Sequence, residues 1–336
     1  MFADTRIARL TIPVLIAALW LTCLTVPADA GDRRPLPNRL TVMTWNCEFL
    51  WDGLPPEQGV ADFPHKGSPE KAAEHMRLLA EVIRKESPDI LNLVEVENLQ
   101  AIELMNSRFL KGMGYKAYLV EGKDHELGQD VGILTRVDPV GGKLQYDGRL
   151  GRTSKFAYPV TKDYVARFDV GGLKLGMIGL HLRSNPASAQ RKLMREAQAE
   201  AVAGMALDLK REGRSVIVLG DFNDLDGADD ARDHTDARPI TDVLARVRAF
   251  DPANPAVSLI NAASLMPKAE RYTCFWDRNH NQQIDGLTEL SQIDHVLLSP
   301  ELAARVVLAK IPHGHDPRQI TDHFPVVVRL HMPRGP

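Results

Sequence analysis

Five apolar, β-like runs in this chain each end in, or are followed by, an oxygen- or imidazole-bearing side chain. They are Thr44-Trp45-Asn46, Leu93-Val94-Glu95, Gly220-Asp221-Phe222-Asn223, Gln292-Ile293-Asp294-His295 and Thr321-Asp322-His323-Phe324-Pro325. Strands that share a sheet bring such ends together, so residues from opposite ends of the chain meet in one cleft. A set of Asn, Glu, Asp and His suits a hard divalent cation and acid–base work on a phosphate ester.

The elements alternate along the chain. Apolar runs predict strands over 40–45, 90–94, 115–120, 131–134, 164–170, 173–180, 216–219, 272–276, 293–298, 306–311 and 326–330. Helices are predicted over 69–85, 99–110 and 188–212. The first has Ala72, Met76, Leu79 and Ile83 at helical spacing, with Ser68 as N-cap and Pro69 at the first position. Gly171-Gly172 joins two strands as a hairpin, so strand direction is mixed. Two groups of strands with helices between them predict an α/β fold, a four-layer α/β/β/α sandwich with two packed mixed β-sheets.

Residues 1–30 read as a leader outside that fold. Arg6 and Arg9 form a basic start, an apolar core runs over 10–26, and Ala28-Asp29-Ala30 has the small-x-small pattern of a signal-peptidase site. The alternative is a membrane anchor, since the core is near the spanning threshold of about 18 residues. Cleavage after Ala30 is favoured and implies a secreted or periplasmic protein with no stable membrane anchor. Cys23 follows Thr22, where bacterial lipid attachment wants Gly, Ala or Ser. Residues 31–38, with two prolines, read as a flexible lead-in to a catalytic domain over 39–331. The leader carries as many Asp as Arg, so its loss leaves the net charge at −3. That excludes the strongly basic field of a tight non-specific nucleic-acid binder. Cys47 and Cys274 remain, and either a bridge or two buried thiols is compatible with their positions.

Asp221 closes an apolar strand after Gly220, and Asn223 falls on the same side if the backbone stays extended. Together they could orient a water and bind a phosphate oxygen; the alternative is an Asx turn. Glu95 ends a strand read as wholly buried, where a carboxylate needs a partner such as a metal ion, with Glu97 in reserve. Asp-His occurs four times, at Asp124-His125, Asp233-His234, Asp294-His295 and Asp322-His323, and only the last two sit in strand context. His323 is assigned as the imidazole base with Asp294 as its carboxylate partner. His181, after the strand at 173–180, is a second candidate acid or a structural histidine.

Asp277-Arg278-Asn279-His280-Asn281-Gln282-Gln283-Ile284-Asp285 places oxygen ligands at positions 1, 3, 5 and 9, the spacing of an EF-hand loop for Ca²⁺. It lacks Gly at position 6 and has Thr288 at position 12, with Glu289 one place late; a polar hairpin loop is the plainer reading. The acidic stretch over 224–236 reads as a solvated loop.

In order and wording, Trp45-Asn46, Leu93-Val94-Glu95, His181-Leu182-Arg183-Ser184, Gly220-Asp221-Phe222-Asn223, Ile293-Asp294-His295 and Thr321-Asp322-His323-Phe324-Pro325 resemble the endonuclease/exonuclease/phosphatase superfamily. It includes pancreatic-type deoxyribonucleases, apurinic endonucleases, sphingomyelinases and inositol-polyphosphate phosphatases, and its fold is the four-layer sandwich. The resemblance implies that Glu95 is the principal Mg²⁺ (or Mn²⁺) ligand, with Asn46 beside metal and scissile phosphate and Asp322 a further metal contact. It implies that Asp221 and Asn223 orient the attacking water and the phosphate, that His323 with Asp294 is the catalytic imidazole, and that His181 is the second histidine. Glu48 departs from the pattern, since many nucleases have Asp there.

The Leu93-Val94-Glu95-Val96-Glu97-Asn98 wording and the His181-Leu182-Arg183-Ser184 segment look closest to secreted bacterial nucleases. The expected activity is therefore a metal-dependent phosphodiesterase on DNA or RNA, working as a monomer. The alternative substrates are inositol phosphates or sphingomyelin headgroups, cleaved by a phosphatase or phospholipase C-type reaction. A binding module that kept only the fold would be expected to lose Glu95, Asp221, His181 or His323, and all four are present. With a net charge of −3, nucleic-acid affinity must come from local groups, for which Arg152, Lys155, Arg167 and Arg183 are the candidates.

Overall fold

Two sheets face each other across an apolar interior, and a layer of helices covers the outside of each. The computed structural model describes residues 31–55, 62–123, 127–281 and 283–332; the leader and Asp124-His125 lie outside them. In chain order the elements are β1 (Arg39–Leu50), α1 (Pro69–Glu86), β2 (Ile90–Val96), α2 (Leu99–Phe109), β3 (Lys116–Leu119), β4 (Asp130–Thr135), β5 (Leu150–Arg152), β6 (Ala157–Pro159), β7 (Asp163–Val170) and β8 (Leu173–His181). They continue as α3 (Ala189–Arg211), β9 (Ser215–Asp221), α4 (Val243–Arg248), β10 (Ile260–Asn261), β11 (Cys274–Phe275), β12 (Leu290–Ser291), β13 (Asp294–Leu298), α5 (Pro300–Ala303), β14 (Val306–Lys310) and β15 (Val326–His331).

One sheet has the order β14-β15-β1-β2-β4-β3 and the other β10-β13-β9-β8-β7. Only β1–β2 and β8–β9 run parallel; the remaining pairs in both sheets are antiparallel. Alternation along each strand sorts the core. Leu40, Val42, Ile90 and Val94 pack inward against Tyr164, Phe168, Met177, Ile217 and Leu219. Met43, Trp45, Leu91 and Leu93 face outward onto Met76, Leu79 and Ile83 of α1 and Ile102 of α2. Ile178, Leu180, Val216 and Val218 do the same for Val202, Met205 and Leu209 of α3. The α1 boundary follows its sequence signals: Ser68 Oγ accepts from Lys71 N at 3.4 Å, and Ser87 at φ 48 turns the chain out.

The strand directions explain why five distant segments meet. β1, β2, β8 and β9 deliver their C-terminal ends to one edge of the sandwich, whereas β13 and β15, antiparallel to their neighbours, deliver their N-terminal ends there. Asp294 therefore opens β13 and His323 precedes β15, as the predicted strands over 293–298 and 326–330 imply. The predicted strand over 272–276 shrinks to the two residues of β11. The segment read as a flexible lead-in is tied down. Arg34 is 7 % exposed and ion-paired to Asp32 at 2.7 Å, and Arg33 bonds Gly114 O and Asp138.

Candidate active site

Backbone irregularity positions the first two site residues. The β1–β2 register shifts between Asn46 and Leu50, where Glu48 and Phe49 take φ of 48 and 64, and β2 is likewise interrupted at Glu95, with φ 62. Bulges of this kind re-aim side chains at a sheet edge, and left-handed backbone at non-glycine residues persists only where its surroundings enforce it. Asn46 Nδ2 donates to Glu95 Oε1 and to Asp221 Oδ2, both at 3.2 Å, and so bridges the two sheets. Its Oδ1 also accepts from Glu48 N at 3.0 Å, so both amide N–H groups and one oxygen lone pair are engaged within the site. Glu48 in turn accepts from Asp322 N at 2.9 Å.

Register fixes the other sheet's contribution. His181 pairs with Asp221 across β8–β9, and Asp221 with Asp294 across β9–β13, which sets three site residues side by side. Gly220 makes this possible. At φ 137 a Cβ there would lie 2.0 Å from Leu180 O, so only glycine lets the strand deliver Asp221. His181 Nε2 lies 3.6 Å from Asp221 Oδ2 and 3.9 Å from Glu95 Oε1. His323 Nδ1 meets Asp294 Oδ2 at 2.7 Å, and its Nε2 is 3.7 Å from Asp322 Oδ1. Asp221, Asp294, His181 and His323 form a buried floor; Glu48, Glu95 and Asp322 stand partly open above it.

Asn223 departs from the extended geometry. Its N–H donates to Asp221 Oδ1 at 2.8 Å, an Asx turn, its φ is 52, and its side-chain amide donates to Leu182 O at 3.1 Å. It stays beside Asp221 but braces the His181 segment. Arg183 is 6 % exposed next to His181, with its backbone held by Gln198 and Arg195. Arg152 and Lys155 are exposed on the β5–β6 hairpin. Arg167 is not at the cleft. It pairs with Gly176, five residues and about 17 Å short of His181 at ordinary strand rise, and is bound to both oxygens of Glu212. Glu97 turns away to accept from Asp52 N, and His295 faces Asn261 and Asp224 O.

Burial and crowding set the charges. Burial pushes Asp221 up to about 7, helped by the charge of Asp294. Glu48 rises to about 8 by burial and by the neighbouring Asp322, and Glu95 rises by burial. Burial alone would lower His323, but Asp294, Cys274 and Asp322 outweigh it and hold the imidazole well above its ordinary value. His181 goes the other way, lowered by burial and by the positive charges of Lys162, His323 and Arg183.

Two residues here escaped the sequence reading. Lys162 is 4 % exposed, bonded to Gln129 at 3.0 Å, and its charge acts on both Glu95 and His181. The available signal was that 164–170 forms a hairpin with the strand leading to His181, so the residues opening it fall at the same edge. Glu48, set apart as a departure, is a full member of the rim.

A divalent cation fits this donor set. Buried carboxylates whose protonation rises because they crowd one another are relieved by a positive ion among them. Beyond its burial, Glu48 is raised by the charges of both Asp322 and Glu95, which sets three carboxylates around one space, and beside them ligand atoms of Asp322, His323 and Cys274 lie within 4.8 Å of one another. The EF-hand-like loop is arranged differently. Asn279 and Asn281 turn their amide N–H groups onto Asp285, and Glu289 accepts from the backbone of Arg278 and Asp285, so these oxygens are engaged within the loop itself. Cys47 and Cys274 are both free and buried.

With the sandwich and this constellation in view, the chain belongs to the Endonuclease/Exonuclease/phosphatase family, whose signature matches residues 43–323. Its fold is shared by solved structures of low sequence identity. A 3′ phosphatase, NExo, from Neisseria, bound to a product DNA hairpin, is 18% identical, with a TM-score of 0.55, over 87% of this chain and 99% of that one. TDP2 from C. elegans is 16% identical, with a TM-score of 0.52, over 87% of this chain and 75% of that one. An AP endonuclease from Archaeoglobus fulgidus is 14% identical, with a TM-score of 0.53, over 86% and 98%. No curated protein matches the chain by sequence. Family and fold define a phosphoester hydrolase.

Proposed function

We propose that this protein is a secreted, Mg²⁺-dependent phosphodiesterase that cleaves DNA or RNA by in-line attack of water. The observation that carries the reading is the Asp294–His323 pair at 2.7 Å facing Asp221, with Asn46 tying Asp221 to Glu95. Glu48, Glu95 and Asp322 are the residues that would hold the cation, which when bound neutralises charge on the phosphoryl group. The chain's own groups supply the rest. Asp221, poised near 7, accepts the proton of the attacking water. His323, kept charged by Asp294, donates a hydrogen bond to a phosphoryl oxygen and stabilises the charge that builds there. The buried Lys162 and Arg183 give that wall of the cleft its positive charge, and burial together with these charges holds His181 beside them neutral on the floor. As the water oxygen bonds to phosphorus, the P–O bond opposite it breaks and the departing alkoxide takes its proton from solvent.

Nucleic acid is favoured over a lipid or inositol headgroup because the family relatives by fold include a phosphatase bound to a DNA hairpin and an AP endonuclease. Export follows from the basic start, apolar core and Ala28-Asp29-Ala30, and N-terminal sequencing of exported protein is expected to begin at Gly31. The deciding experiment is a parallel panel with Mg²⁺: plasmid DNA, single-stranded RNA, sphingomyelin and an inositol polyphosphate. Cleavage of a nucleic acid, weakening with salt on a slope of only a few phosphates, is expected. Turnover of the lipid or inositol compound while both nucleic acids survive defeats the nuclease reading.

A further inference from the structure

The segment that delivers Asp322 and His323 lies between β14 and β15 and is bridged to a strand only at His323, opposite Cys274 of β11, and each carbonyl from Ile320 to His323 is engaged by a different part of the fold. Ile320 O accepts from His75 Nε2 at 2.7 Å, Thr321 O from His315 Nε2 at 3.2 Å, Asp322 O from Phe275 N at 2.8 Å, and His323 O from Trp45 Nε1 at 2.9 Å. Three of the four donors are aromatic ring N–H groups. They come from α1, from the connection before β15, and from β1.

A carbonyl oxygen can only accept, so His75 and His315 must each carry a proton on Nε2. In both rings Nδ1 is buried with no hydrogen-bond partner. A proton there would be an unpaired buried donor on a charged ring, so the two imidazoles are neutral Nε2–H tautomers. Neither ring belongs to the acidic cluster. His75 packs on His65 with centroids 4.7 Å apart, and His315 lies between Trp45 and Phe324 at 5.4 and 4.8 Å.

We infer that His75 and His315 are positioning residues that hold the Ile320–His323 backbone so that the His323 ring meets Asp294. The inference rests on the hydrolase reading above. Asp294 is fixed by the β13 ladder, so the 2.7 Å contact depends on where the loop backbone sits. Catalytic geometry tolerates displacements of about half an ångström before turnover suffers. The outermost helix, α1, thus acts on the cleft through one imidazole. Its sequence signal was slight, a lone histidine among the buried residues of an amphipathic helix.

The test measures hydrolysis of bis(4-nitrophenyl) phosphate by the full chain with Mg²⁺, alongside the tautomers of its imidazoles by ¹⁵N NMR at pH 7. His75→Leu and His315→Leu are expected to lower kcat about tenfold, the cost of one lost buried hydrogen bond, with KM within about twofold. His75→Gln can present an N–H to Ile320 O and is expected to recover most of the rate. Both wild-type rings are expected in the Nε2–H form. Unchanged kcat in both Leu variants, a Gln variant no better than Leu, or an Nδ1–H or charged ring at either position overturns the inference. Should His75→Leu fail to fold, His315→Leu and the spectra decide. A wild-type chain that leaves the diester intact defeats the hydrolase reading instead, and the spectra tell the two failures apart.

Discussion

Asp163 is a buried carboxylate that the fold tolerates at a cost, and Asp163→Asn is expected to stabilise the protein. It opens β7 opposite Leu180 and shares the face of Val165, toward α3. It is 2 % exposed, and neither carboxylate oxygen has a side-chain hydrogen-bond partner. Burial, reinforced by the charge of Asp147 and only partly offset by the Asp147 backbone N–H and by Arg149, pushes it from 3.8 up to about 8. A raised carboxyl means that the folded chain keeps a proton which the unfolded chain releases. The associated stability is complete below 3.8 and is lost as pH rises through 8. Each tenfold in proton affinity is worth about 1.4 kcal/mol, so holding that proton at pH 7 costs roughly 4 kcal/mol. Asparagine has the same shape and no charge, and its unpaired amide costs about what the protonated acid does. Urea titrations should show the variant more stable by up to about 4 kcal/mol at pH 7, with the gap falling below about 2 kcal/mol at pH 5. Equal stability at pH 7, or a gap that widens toward acid, refutes the reasoning.

Glu95→Gln, Asp221→Asn and His323→Ala should each lower phosphodiesterase turnover at least about a hundredfold, and excess chelator should silence the wild-type chain; full activity with chelator refutes the metal requirement. Because Asp221 is raised to about 7 and accepts a proton only above it, while His323 stays charged, kcat should climb through about pH 7 and be largely lost at pH 5; a full rate at pH 5 rules out Asp221 as base. Gly220→Ala forces a Cβ to 2.0 Å from Leu180 O at φ 137 and should destabilise by about 3 kcal/mol or more by thermal melt, whereas a wild-type melting temperature refutes the strain argument.

Much of this architecture was legible before any coordinates. The helices at 69–85 and 188–212 were readable because Ser68 supplies a cap to the first and the apolar spacing of both is local, and the observed α1 and α3 agree within a residue. The apolar runs marked the strands because sandwich interiors exclude water from both faces of each central strand. The Asp294–His323 partnership was also readable, since each residue stood beside an apolar run. Arg167 and Asn223 were misplaced for a common reason. Charge and proximity in sequence say nothing about whether a side chain lies mid-strand with Glu212 or in a turn that reverses the backbone. Lys162 escaped because its importance depends on which strand lies beside it.

The sequence by itself determined the elements, their caps, the mixed direction implied by the hairpin, and the residue types that a phosphoester site requires. These are properties of short windows, where propensity and periodicity act directly. Only the tertiary structure decided that Asn46 ties Glu95 to Asp221 and that its oxygen also holds the backbone of Glu48. It alone set the bulges that aim Glu95, and it drew imidazoles from α1 and the last connection to support the His323 loop. Each of these depends on strand register and on burial by elements far away in sequence, and both arise only when the two sheets close on each other.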